Sequence, residues 1–173
     1  ALNFLGHFHL AQELLPELKK SQVPRVVFVN AEQHIVETSV DPHFVYSGRI
    51  AAFAAYHKSK LALLWYAHKL ARLHPEICVV SLKPDTIKSR SGEARGVIER
   101  SIVSIFSPFF LSQEQGLHIA IHCSTLPKLE RGRYYYEVRG MTSFSPISRD
   151  AHKADESYEL ACSLCKIALE RGR

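Results

Sequence analysis

Arg25-Val-Val-Phe-Val-Asn30 sets four apolar residues in a row between Pro24 and a polar loop. Ile77-Cys-Val-Val-Ser-Leu82 repeats the pattern, with Pro75 before it and Pro84 after it. A short continuous apolar run bounded by turn signals reads as a strand buried on both faces, the habit of a parallel sheet. Ile50 to Leu73 lies between the two runs. It holds Ala51, Ala52, Ala54, Ala55, Leu61, Ala62, Leu63 and Leu64, all good helix formers. Upstream, Ala1 to Lys20 carries apolar residues at Leu2, Leu5, Phe8, Ala11, Leu14, Leu15 and Leu18, a helical stripe, with Lys19 and Lys20 in its last turn. The order helix, strand, helix, strand predicts an α/β fold with parallel strands and crossover helices.

The pattern thins further on. Lys83 to Gly96 reads as a polar loop, and Val97 to Phe110 as a short helix broken at Pro108. Leu111 to Ser124 reads as a helix capped by Ser112, with Gln115 three residues on. Tyr134 to Val138 is expected to be a third strand and Asp150 to Arg171 a last helix, acidic early and basic late. An open sheet of this kind exposes an edge, expected beside Val26 to Val29 or Val79 to Leu82. The chain opens inside a periodic helix. That reads as truncation, a fragment of a longer protein; the bland alternative is the loss of an initiator Met before Ala1.

Composition narrows the class. The chain has 173 residues, 46% hydrophobic and 23% charged, with 8 Gly and 8 Pro, an ordinary globular balance. The uncharged run Ser101 to Gln113 falls short of the roughly 20 apolar residues that cross a bilayer, so no transmembrane segment is expected. No basic n-region precedes an apolar core at the N-terminus, so no signal peptide is read there. Cys78, Cys123, Cys162 and Cys165 are too scattered for a disulfide scaffold, and a reducing compartment is the default. The net charge of +5 is spread along the chain, so no nucleic-acid partner is indicated.

Tyr56-His-Lys-Ser-Lys60 places a phenol and an ammonium four residues apart, on one face of the long helix. A free phenol, with pKa near 10, is a poor acid or base at neutral pH. A fixed ammonium beside it favours phenolate. The pair could then pass a proton to or from an alcohol or carbonyl oxygen. This spacing also arises by chance in helices, so its weight comes from context. Ligands of open parallel sheets sit beyond the carboxyl ends of the strands. Asn30-Ala31, the Tyr56 end of the helix and Pro84 to Ser89 all fall at that edge.

Other constellations favour packing over chemistry. His118 and His122 stand four apart, with Glu114 one turn earlier, but lack a further ligand in order, so no metal site is expected. Cys162 and Cys165 sit among Leu160, Ala161 and Leu164 with no redox context before them. His7 and His9 fall on opposite sides of the first helix. Tyr134 to Tyr136 alternates across a strand rather than forming a stacking platform.

The ordered set Asn3-x-x-Gly6-x-Phe8, Arg25 to His34, Tyr56-x-x-Ser-Lys60 and Pro84-x-x-x-x-Ser89 resembles the second half of a short-chain dehydrogenase/reductase. It is most similar to the retinol-dehydrogenase-like branch that includes the WW-domain-containing oxidoreductase. Leu5-Gly-His-Phe8, Leu14-Leu-Pro-x-Leu-Lys-Lys20, Gln115-Gly116, Leu126-Pro127 and Gly132-x-Tyr134-Tyr135 agree with that branch. The resemblance implies one partial domain over 1–173, the C-terminal portion of a Rossmann-type doubly wound sheet. It implies NAD(P) as cofactor and hydride transfer to or from an alcohol or carbonyl. Tyr56 would be the acid/base. Lys60 would lower its pKa and hold the nicotinamide ribose. Asn3 would support a water and Lys60. Pro84, Ile87 and Ser89 would lie along the nicotinamide.

Residues 90–110 form the variable stretch that would cover an apolar small-molecule substrate. A homo-oligomer, and a place in the cytoplasm or at the periphery of an intracellular membrane, fit the same resemblance. The sequence also departs from the family pattern. Ala31 stands where the family has a carbonyl-polarising serine, Asp85 where it has glycine, and no Gly-rich pyrophosphate turn occurs. These departures keep open a non-catalytic binding or scaffolding relative, or a truncated degenerate product.

Overall fold

The two Val-rich runs lie side by side, as expected of buried parallel strands. The computed structural model describes residues 2–30, 49–83, 113–125, 134–136, 140–142 and 150–166. Strand β1 spans Arg25–Val29 and β2 spans Cys78–Lys83, paired in parallel from Arg25↔Cys78 to Val29↔Leu82. Helix α2, Arg49–Leu73, is the crossover between them. Strand β3, Tyr134–Tyr136, joins β2 in parallel, and β4, Gly140–Thr142, turns back antiparallel on β3. The sheet order is β1-β2-β3-β4. The chain is therefore α/β, of the Rossmann type.

Alternation along the strands sorts residues onto two faces, because successive side chains point opposite ways. Val26, Phe28 and Val79 enter the larger core. This is built with α1 (His7–Leu18), α2 and α4 (Ala151–Cys165). Val27, Cys78, Val80 and Leu82 face the other way and pack with Ile119, Ala120 and Cys123 of α3 (Gln113–Thr125). Helices on both faces explain why the strands read as unbroken apolar runs rather than alternating ones.

An aromatic cluster knits the larger core. The Phe8 ring lies 4.7 Å from Tyr66 and 5.7 Å edge-on to Tyr158, and Phe28 meets Tyr66 edge-on at 5.5 Å. Such pairs add about 0.5–1.5 kcal/mol each beyond their burial. Tyr66 Oη accepts from Gln12 Nε2 at 3.1 Å, so its polar end is met as well. Asp155 takes the ammonium of Lys69 at 2.9 Å and the guanidinium of Arg72, clamping α4 to α2.

Four expectations change in detail. The first helix is divided: Leu2–Gly6 is π-helical, and α-helix runs from His7 to Leu18, with His7 Nδ1 donating to the Leu2 carbonyl at 3.0 Å. The last helix starts as read, with Asp150 accepting from the Lys153 N–H at 3.1 Å, but it stops at Cys165. Lys166 adopts a left-handed conformation (φ 56°) and its N–H returns to Cys162 and Ser163, which closes the helix. Strand β4 was not anticipated from Gly140-Met-Thr142. Of the two expected edges, β2 is interior, while β1 pairs only with β2 among the described residues.

The helix read over Val97 to Phe110, the polar loop after Lys83 and the Ser112 cap lie outside the described residues. No helix among the described residues is long and apolar enough to cross a membrane.

Candidate functional site

The carboxyl ends of β1 and β2 share one edge because the strands are parallel, and the first turns of α2 return over it. At that edge Asn30 is buried, and its backbone N–H donates to the Leu82 carbonyl at 2.7 Å. The Lys60 ammonium reaches the carbonyl of Val29 at 3.1 Å. The same ammonium stands 5.8 Å from the centre of the Tyr56 ring. Spacing alone predicted that Tyr56 and Lys60 share a face, and they do. Tyr56 is 38% exposed, so its ring is within reach of a ligand.

The helix holds these two residues from behind. His57, next to Tyr56 along the helix, is buried, and from Leu61 to Ala67 every residue is buried. Ser59 Oγ donates to the Tyr56 carbonyl at 2.6 Å, a local side-chain-to-backbone bond on the same turn. Tyr56 and Lys60 are thus mounted where a rigid helix emerges from the core.

The electrostatics differ from the sequence reading. Burial pushes the Tyr56 phenol above its ordinary value and the Lys60 amine below its own. Both shifts favour the neutral forms, because partial burial penalises charge. The expected fall in the phenol pKa is absent from this arrangement: Lys60 gives its hydrogen bond to the backbone carbonyl of Val29, with its ammonium 5.8 Å from the centre of the phenol ring.

Asn3 lies half-buried in the π-helical segment, and that segment packs on α2. π-Helical turns occur frequently at functional sites. Pro84, Ile87 and Ser89, with Ala31 and Asp85, lie outside the described residues. His118 and His122 are both exposed on α3, and no group of three or more metal-binding side chains occurs among the described residues. Cys162 belongs to the core, and Cys165 packs against it with its thiol pushed up by burial. Burial drives Cys123 to about 11, leaving it protonated and unreactive at neutral pH. Among the described residues, the carbonyl of Val29 is a contributor to the site that sequence reasoning missed, since a backbone group leaves no signal in residue identity.

No family model matches the chain. It is similar to retinol dehydrogenase 12 of Mus musculus, 30% identical over 173 residues, covering 98% of this chain and 54% of that protein. It is similar to the WW domain-containing oxidoreductase of Gallus gallus, 29% identical with 98% and 44% covered, and to the polyprenol dehydrogenase of Mus musculus, 33% identical with 77% and 43% covered. The chain spans about half the length of the curated relatives it matches. Its fold matches the crystal structure of an uncharacterized protein from Mycobacterium paratuberculosis with a TM-score of 0.67 at 21% identity, covering 98% of this chain and 59% of that one. Together with the ordered motifs around Tyr56 and Lys60, these relatives show what the chain is similar to: the C-terminal part of the retinol dehydrogenases and the WW domain-containing oxidoreductase, short-chain dehydrogenase/reductase family members about twice its length.

Proposed function

We propose that this chain carries the proton-handling part of an NAD(P)-dependent oxidoreductase that interconverts an alcohol and a carbonyl on an apolar substrate. The observation that carries the reading is the reachable Tyr56 phenol beside an ammonium anchored at the carboxyl edge of a parallel sheet. The names of the relatives, retinol dehydrogenase and polyprenol dehydrogenase, support an apolar alcohol as substrate class. In the sequence Ile98, Ile102, Val103 and Phe106 fall in the stretch proposed to cover it.

The donor set suits part of the cofactor. An ammonium has three N–H donors, and Val29 takes one, which leaves two for the hydroxyls of a ribose. Tyr56 offers a further hydroxyl on the same face. Pyrophosphate is a different matter, since no Gly-rich turn occurs in the 173 residues. The ribose and nicotinamide end is therefore the part this chain would hold, through Tyr56, Lys60 and, from the resemblance, Pro84, Ile87 and Ser89. A bound nicotinamide supplies or accepts the hydride.

The rest falls to the chain's own groups. In oxidation Tyr56 Oη takes the alcohol proton as the C–H bond is lost; in reduction it returns a proton to the carbonyl oxygen. That role needs the phenol pKa brought down from the raised value it has here, and the Lys60 ammonium is the cation placed to do so. Asn3, in the π-helical segment against α2, is the proposed support for a water that reaches Lys60.

A second reading has its own support. Ala31 lacks the carbonyl-polarising hydroxyl, Asp85 replaces a glycine, and the phenol is shifted away from neutrality; together these favour a non-catalytic binding or scaffolding relative. One assay separates the two: turnover of the parent protein, Tyr56→Phe and Ala31→Ser on a panel of apolar alcohols and aldehydes with either cofactor. Catalysis predicts a loss of about 100- to 10,000-fold in Tyr56→Phe. It also predicts a gain in Ala31→Ser, a position where a hydroxyl donor is worth about 100-fold or more. Activity that survives Tyr56→Phe removes Tyr56 from the chemistry. A parent with no turnover supports the scaffold.

A further inference from the structure

We propose that the peptide unit joining Val29 to Asn30 positions Lys60, tying its ammonium to the hydrogen-bond ladder between β1 and β2. What this positioning is for rests on the reading of Lys60 as the partner of Tyr56. The positioning itself stands on two bonds. Lys60 Nζ donates to the Val29 carbonyl at 3.1 Å, and the Asn30 N–H donates to the Leu82 carbonyl at 2.7 Å. Both bonds are made by the same peptide unit.

Planar trans geometry points the C=O and N–H of one peptide in opposite directions. The N–H points to β2, so the carbonyl points to the other side of β1, where no strand pairs among the described residues. Lys60 gives that carbonyl the donor that a neighbouring strand would otherwise give. An ammonium is a stronger donor than an amide N–H. A peptide whose carbonyl is held by a cation also donates more strongly through its N–H, since linked hydrogen bonds polarise one another.

A lysine ammonium rides on a flexible four-carbon stem and is not positioned by its own rotamers. Lys69, on the same helix, is held by side chains: the carboxylate of Asp155 at 2.9 Å and the face of Tyr158 at 5.4 Å. Lys60 is held instead by main chain, which no ordinary substitution deletes. Its partner is tied to Leu82 of β2, the strand that leads into the Pro84 to Ser89 segment. The ammonium, the Tyr56 ring and the end of β2 thereby share one rigid reference.

The test replaces the Val29–Asn30 amide by an ester, using the α-hydroxy analogue of asparagine at position 30 in the full 173-residue chain. The ester removes the N–H and weakens the Val29 carbonyl as an acceptor. Lys60 protonation is then read by trace amine labelling across pH, quantified at that lysine by mass spectrometry, with no cofactor or substrate present. Losing a hydrogen bond to the charged form should lower the Lys60 protonation constant by about fivefold. The control is the same ester at Phe28, which faces the same side of the ladder but whose preceding carbonyl Lys60 does not touch. It should cost similar stability and leave Lys60 unmoved. Equal shifts from both esters, or none from the ester at position 30, overturn the proposal.

The reciprocal measurement needs no esters and covers the case in which they fail to fold. Lys60→Met should speed hydrogen exchange at the Asn30 amide by about threefold or more and leave the Phe28 amide unchanged. Unchanged exchange at Asn30 overturns the proposal. Neither readout involves catalysis, so an absence of turnover would count against the proposed reaction and not against this positioning.

Discussion

Residues 54–60 and 61–70 of α2 belong to one unbroken helix in two environments. In the first stretch His57 alone is buried, Tyr56 is exposed and Lys60 is half-buried. In the second, Leu61 to Ala67 and Leu70 are buried, covered by the sheet, α1 and α4, with Trp65 against Ala154 and Tyr66 against Phe8 and Phe28. The first stretch carries groups that can meet a ligand. The second supplies the rigidity that keeps them in place. A flexible tyrosine is a poor proton donor because it is seldom in position. Here the position comes from packing about one to three turns away, and the cost of disturbing it should fall almost wholly on the second stretch.

Making the same deletion in both stretches tests this most severely. Tyr66→Ala removes an aromatic centre of the core and should cost about 3–5 kcal/mol. Tyr56→Ala should stay within about 1 kcal/mol, since it empties no cavity. Urea unfolding of both variants measures the gap; equal losses would show that the two stretches are packed alike.

A smaller perturbation reaches the helix through its buttress. Asp150→Ala removes the cap of α4 and should cost about 1 kcal/mol. Because α4 touches α2 through Ala154, Asp155 and Tyr158, hydrogen exchange should quicken in residues 61–70 more than in 54–60. A uniform increase along α2 would mean that the helix responds as one body and has no separate ends.

The smallest effect sharpens the comparison by pH. Burial opposes the charge on Asp155, but Lys69 and Arg72 outweigh it and hold the carboxyl below its ordinary value. A carboxylate with a depressed folded pKa contributes stability above its unfolded pKa, near 4, and loses it as pH falls through the folded value. Asp155→Asn should therefore cost about 0.5 kcal/mol at pH 7, a modest figure because the pair is partly exposed and solvent screens it. The melting temperatures of the two proteins should converge below about pH 4. A difference that persists there would assign the effect to packing instead of charge.

The elements were legible wherever hydrophobic order is local. Arg25–Val29 and Cys78–Lys83 are strands because unbroken valine-rich runs suit a sheet covered on both sides. Arg49–Leu73 is a helix because its alanine and leucine content favours one over its whole length. The edges of the pattern were not legible. Lys166 stops α4 in a left-handed turn that glycine or asparagine usually signals, and the sequence offers neither at that point. Gly140–Thr142 is a strand only because β3 lies beside it to pair with. The π-helical turn at Leu2–Gly6 shares its hydrophobic stripe with an ordinary helix, so no spacing argument separates the two.

The site divides in the same way. Residue spacing by itself determined that Tyr56 and Lys60 share a face, that the face belongs to a crossover helix and that the crossover returns to the carboxyl edge of a parallel sheet. All three follow from helix and strand periods that residue types encode locally. Only the tertiary structure decided what the Lys60 ammonium holds, which way the Tyr56 pKa moves and which of two valine-rich strands is the edge among the described residues. Those outcomes depend on how deeply groups distant in sequence bury one another and where the main-chain carbonyls point, and neither is written in any single stretch of residues.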